Sequence, residues 1–144
     1  MERFGFFFAS SSIQEPGDFT YLHGTLYEHL YECIQVARDW KTSNERIYFK
    51  LLNNSEIIKQ AHTKQNIKKF GYLFLTNDFL NNMLFAHSYS PKLYDDILDC
   101  IMDGKACHKQ TDIESDYTMQ KNIKIGYFSI LNNDELVSEL HAFL

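Results

Sequence analysis

His23 and Thr25 stand two residues apart in Leu22-His23-Gly24-Thr25-Leu26, a spacing that lets an imidazole and a hydroxyl serve one proton transfer. Acid–base chemistry of that kind needs a second imidazole, and His87 and His141 are the candidates for it. His62 and His141 end two similar segments, so they could flank a shared cleft or hold a metal. The commoner role of a histidine near a helix C-terminus is to meet the negative end of the helix dipole. Cys33 and Cys100 fall on apolar helical faces and read as buried structural thiols. Cys107-His108 lacks a second pair at ligand spacing. The chain carries no glycine-rich phosphate loop, nucleophile elbow or metalloprotease helix, so neither metal nor cofactor is expected.

The other chemistry-bearing residues are acids set among tyrosines. Glu28, Glu32, Asp95, Asp96 and Asp99 decorate two like segments beside Tyr27, Tyr31 and Tyr94, and Glu114, Asp116 and Tyr117 follow in a polar stretch. Carboxylates steer encounter with a basic surface, and tyrosines bury well at interfaces. The candidate binding set is therefore Glu28, Tyr31, Glu32, Asp95, Asp96, Asp99, Glu114, Asp116 and Tyr117. A net charge of −5 points the same way and argues against a nucleic-acid surface, which needs clustered Lys and Arg.

The His23-Gly24-Thr25 triplet resembles the His-x-Thr/Ser motif of the two-histidine phosphoesterases. That resemblance implies a duplicated fold in which each lobe supplies one histidine, as general base or general acid. The corresponding second region, His87-Ser88-Tyr89-Ser90, departs from the motif, because Ser90 lies three positions after the histidine.

Positioning these residues are elements that recur. Leu26–Ile34, LYEHLYECI, matches Leu93–Ile101, LYDDILDCI, at an offset of about 67. Phe4–Phe8 matches Phe70–Phe74, and Tyr48–His62 matches Tyr127–His141 at an offset of about 79. The growing offset places about a dozen extra residues in a loop over 105–120. Strands are expected at Phe4–Ala9, Arg46–Leu52, Lys69–Leu75 and Lys124–Leu131, by their apolar and aromatic runs. Helices are expected after Thr25 (capping box with Glu28), after Asn53, after Ser90-Pro91 as far as Gly104, and after Asn132. Residues 10–24 and the FLNNMLF patch read as a loop and a short helix.

The expected fold class is α/β: two tandem strand–helix–strand–helix repeats, about 1–64 and 65–144, sharing one core about a pseudo-twofold axis within a single domain. An α+β two-layer sandwich is the alternative. Three scattered cysteines fit a reducing compartment, the run in MERFGFFFAS is too short for a secretory signal, and no stretch approaches a membrane span, so a cytoplasmic protein is expected. Missing catalytic motifs favour a binding protein over an enzyme. The functional expectation is a non-catalytic acidic inhibitor of the toxin–immunity type, meeting a basic protein such as a nuclease toxin domain. The alternative is a small phosphoesterase or nucleotide-binding enzyme using a cleft between the repeats.

Overall fold

A computed structural model describes residues 2–9, 19–40, 45–63, 69–78, 83–114 and 123–144, with backbone alone at 19–20, 77–78 and 111–114. The elements run β1 (Arg3–Ala9), β2 (Phe19–Leu22), α1 (Leu30–Asp39), β3 (Glu45–Leu52), α2 (Asn54–His62), β4 (Phe70–Asp78), β5 (Met83–Tyr89), α3 (Ile97–Glu114), β6 (Lys124–Ile130) and α4 (Asn133–Phe143). The six strands form one antiparallel sheet in the order β2-β1-β3-β6-β4-β5. Its two edges come together: the Ala86 N–H donates to the Gly24 carbonyl at 2.8 Å, and Thr25 bridges to Phe85. Among the described residues the result is a nearly closed, barrel-like sheet with four helices. No helix among the described residues is long and apolar enough to cross a membrane.

The strand pattern follows from side-chain alternation. On β1, Phe7 and Ala9 point into the curl while Phe4, Phe6 and Phe8 point outward, under α1 and α4. On β4, Leu73 and Leu75 face in, and Phe70, Tyr72 and Phe74 lie under α3 and α2. Phe49 and Phe128 meet at the centre of the interior, their rings 4.6 Å apart. Each ring takes the space above a glycine. A Cβ on Gly5 would come within 2.3 Å of Phe49 Cζ, and one on Gly71 within 2.3 Å of Phe128 Cζ.

Strands alternating with helices would ordinarily pair in parallel, yet every described pair is antiparallel, and the reason is two strands that the sequence pattern hid. β2 and β5 each turn the chain back beside its predecessor before the helix begins. The crossover through α1 then joins β2 to β3, which run in the same direction with β1 between them. β5, α3 and β6 do likewise around β4.

Helix boundaries shift for a related reason. Thr25 does not cap a helix: it is a bridge residue, and Phe4 and Tyr27 exchange both backbone hydrogen bonds at 2.8 Å. Leu26 is buried inside the curl with Tyr27 on the opposite side, a strand alternation, and α1 starts only at Leu30. Phe70 and Tyr94 make the same exchange, so α3 begins at Ile97 rather than after Pro91. Gly104 does not end that helix. It is buried within it, where a Cβ would meet Ile125 Cδ1 at 2.8 Å and the Tyr72 ring at 3.1 Å. The expected loop over 105–120 is therefore helix as far as Glu114, and its remainder lies outside the described residues. At α2, Asn53 and Glu56 form the capping box, and Ile57 and Ala61 pack inward, whereas Ile58 is 59% exposed.

Candidate functional site

A concavity lies over the two central strands, where the helical cover divides. α1 and α4 pack on one side and α2 and α3 on the other. Lys50 on β3 sits directly opposite Ser129 on β6, both on the outer face, and a groove of about 230 Å³ opens above them. Its floor includes Phe4, Leu30, Leu52 and Leu136. Glu2, Glu56 and Gln60 line it with Lys50, and Asn132, Glu135 and Glu139 line it with Ser129.

Charge in the groove is unevenly matched. Lys50 Nζ lies 2.7 Å from Glu2 Oε1 and 2.6 Å from Glu56 Oε1. Burial works against the lysine's charge, but the hydrogen bonds it donates to both carboxylates, with their negative charge, outweigh that and hold the ammonium above its ordinary range. Glu56 has a second task, because its other oxygen accepts from the Asn53 backbone N–H at 3.1 Å. Glu135 and Glu139 have neither arrangement: among the described residues no ion pair or hydrogen bond engages them. The cap of α4 is instead made by Asn132 Oδ1, which accepts from the Asp134 N–H at 3.1 Å. The Gln60 side-chain oxygen is buried without a donor among the described residues.

The acids chosen from sequence divide into engaged and unengaged groups. Glu28 pairs with Arg3 at 3.3 Å, Asp95 pairs with Lys69, and Asp96 accepts from the Leu98 N–H at 2.9 Å at the start of α3. Glu32 on α1 and Asp99 on α3 are exposed, and no ion pair engages them among the described residues. Tyr31 is 43% exposed, its ring 6.3 Å from that of Phe143. Glu114 closes α3, and Asp116 and Tyr117 lie outside the described residues.

The histidines occupy separate settings. His23 lies between the rings of Phe6 and Tyr27, at 4.4 Å and 5.8 Å, and its Nε2 is 2.8 Å from the Tyr27 hydroxyl. Its Nδ1 is buried without a partner among the described residues, and burial lowers the pKa of the ring. His87 on β5 contacts the Thr76 hydroxyl on the neighbouring strand β4, while His62 and His141 are exposed on α2 and α4. No group of three or more His, Cys, Asp or Glu suited to a metal occurs among the described residues. Burial also pushes the Cys33 and Cys100 thiols up to about 12, which leaves them protonated and unreactive at neutral pH.

Lys50, Glu56, Glu135 and Glu139 were not singled out in the sequence. A signal was present: within the matched segments Tyr48–His62 and Tyr127–His141, the one strand lysine on the outward face is exchanged for a serine while the glutamate six residues on is kept. No protein-family model, curated protein or solved structure matches this chain.

Proposed function

We propose that this chain is a non-catalytic acidic binding protein of the toxin–immunity type, whose target is a basic protein such as a nuclease toxin domain. The observation that carries this reading is the groove, which four carboxylates line (Glu2, Glu56, Glu135 and Glu139) with one ammonium among its described residues, Lys50, paired with Glu2 and Glu56. Two of those carboxylates lack an internal counter-charge among the described residues. A basic partner would supply it, gaining speed of encounter from the net charge of −5 and specificity from the groove.

The same proposal includes the architecture: a duplicated β-β-α-β-α unit in one domain, related by a pseudo-twofold axis between Lys50 and Ser129. Its support is a set of like pairs. Phe49 faces Ile130 as Leu51 faces Phe128 across the central strands. Phe4–Tyr27 and Phe70–Tyr94 are the same bridge, flanked by the ion pairs Arg3–Glu28 and Lys69–Asp95. A register shift follows Phe8 on β1 and Phe74 on β4. The second helix of each unit packs over the first helix of the other, α4 on α1 and α2 on α3, so neither half would bury its core alone.

A phosphoesterase would need two imidazoles in this cleft, and its lining holds none, while its carboxylates repel a phosphate. The test is binding of purified basic nuclease domains, by surface plasmon resonance and by inhibition of cleavage. Binding that weakens with salt, and charge reversal at Glu32, Asp99, Glu135 or Glu139 that cuts it about tenfold without unfolding, is expected. Capture that ignores charge and salt would defeat the proposal.

A further inference from the structure

The two walls of the groove carry the same plan with one residue missing. On the first, Lys50 sits opposite the twofold position and neutralises Glu56, and Gln60 stands one turn further along α2. At the matched positions of the second wall stand Ser129, Glu135 and Glu139. The lysine has become a small residue, the glutamine has become an acid, and Glu135 has been released from the capping role that Glu56 performs. Space and negative charge appear together at one place.

From this we infer that the second wall is a receptor for one cationic side chain, an arginine, carried on a basic segment of a partner protein. The inference rests on the binding-protein reading above. Glu135 and Glu139 are spaced i, i+4, so both lie on one face of α4, where two like charges would disfavour the helix unless a cation sits between them. Across the groove, the Gln60 oxygen is an enclosed acceptor with no donor among the described residues. Two carboxylates one helical turn apart suit the forked donors of a guanidinium better than a compact ammonium. The floor made by Phe4, Leu30 and Leu136 suits the methylene stem. The volume, about 230 Å³, is below the roughly 300–1,000 Å³ of pockets that hold drug-sized molecules, and matches one side chain.

Hexa-arginine titrated into the full-length, ¹⁵N-labelled protein tests this, with hexa-lysine and calcium chloride as comparisons. The expected result is saturable shifts centred on Gln60, Ser129, Asn132 and Glu139, tighter for arginine than for lysine. Glu135→Gln with Glu139→Gln should weaken binding at least tenfold, and Asp39→Asn with Glu45→Gln, away from the groove, should change it less than twofold. Both pairs are exposed and should leave the fold intact. Shifts confined to α1 and α3, with the Glu135/Glu139 pair immaterial, would overturn the receptor while leaving a basic partner in place. The same groove shifts with calcium alone would mark a cation site and overturn the side-chain receptor. No saturable binding would also overturn it, and the nuclease-domain experiment decides the wider reading separately.

Discussion

Two corners of the molecule share a backbone and differ in what plugs them. At the first, the His23 N–H donates to the Phe6 carbonyl at 3.1 Å; at the second, the Ser90 N–H donates to the Tyr72 carbonyl at 2.8 Å. Above the first, α1 stops at Asp39, and Trp40 stacks on Tyr21 at 5.0 Å, both rings about two-fifths exposed. Above the second, α3 continues through Gly104, so that Cys107 packs against the core around Tyr72 and His108 lies 5.8 Å from the Phe74 ring. Helix length closes one corner and aromatic rings partly close the other. The backbone frame is thus indifferent to the plug: where the first corner sets the imidazole of His23 after the β-hairpin, the second sets the hydroxyl of Ser90.

The sharpest way to break the comparison is at the glycines. Gly5→Ala and Gly71→Ala each force a methyl against a ring that another ring holds in place, and each should cost about 3 kcal/mol. Urea unfolding measures both. If one is tolerated and the other is not, the halves are not mechanically alike.

A smaller effect should separate the corners by pH. His23 has Nε2 on Tyr27 and a buried Nδ1 with no partner among the described residues, so protonation would bury an N–H with no acceptor among them. Its folded pKa is therefore below the unfolded value of 6.5. The stability this contributes is complete above pH 6.5 and declines as pH falls below it, because the unfolded chain takes up the proton first. His23→Ser, which copies Ser90, should flatten the fall in urea midpoint between about pH 7.5 and 5. An unchanged slope would remove His23 as its source.

The ion pairs should move least. Arg3–Glu28 and Lys69–Asp95 are surface pairs, and Glu28→Gln or Asp95→Asn should each cost less than about 1 kcal/mol by thermal unfolding. A much larger loss at one of them would assign it a role that its mate lacks.

Sequence pattern was informative where local chemistry agreed with the fold. Phe4–Ala9 and Lys124–Ile130 are strand because their apolar and aromatic runs are buried on both faces of the sheet, and Asn53 caps α2 because Glu56 completes its box. It misled where tertiary pairing overrode a local signal. Thr25-Leu26-Tyr27-Glu28 satisfies a capping box on paper, yet the exchange between Phe4 and Tyr27 claims those amides first. Gly104 looked like a helix stop and is a packing glycine under Ile125 and Tyr72. β2 was hidden by the turn residues Glu15-Pro16-Gly17-Asp18 that precede it. The acids were noticed as a class, but no sequence rule distinguishes Glu28, paired with Arg3, from Glu135, which faces the groove. That distinction depends on the Lys50–Ser129 register, a long-range fact.

The central claim is that the second wall lacks the cation its counterpart has. Ser129→Lys restores it from within the chain. Calorimetric titration of hexa-arginine into the parent and this variant, each checked for fold by circular dichroism, is the direct measurement. The account predicts one saturable site per parent chain and at least a tenfold loss of affinity in Ser129→Lys, whose own ammonium would occupy the place. Equal affinity in a folded Ser129→Lys variant would contradict it.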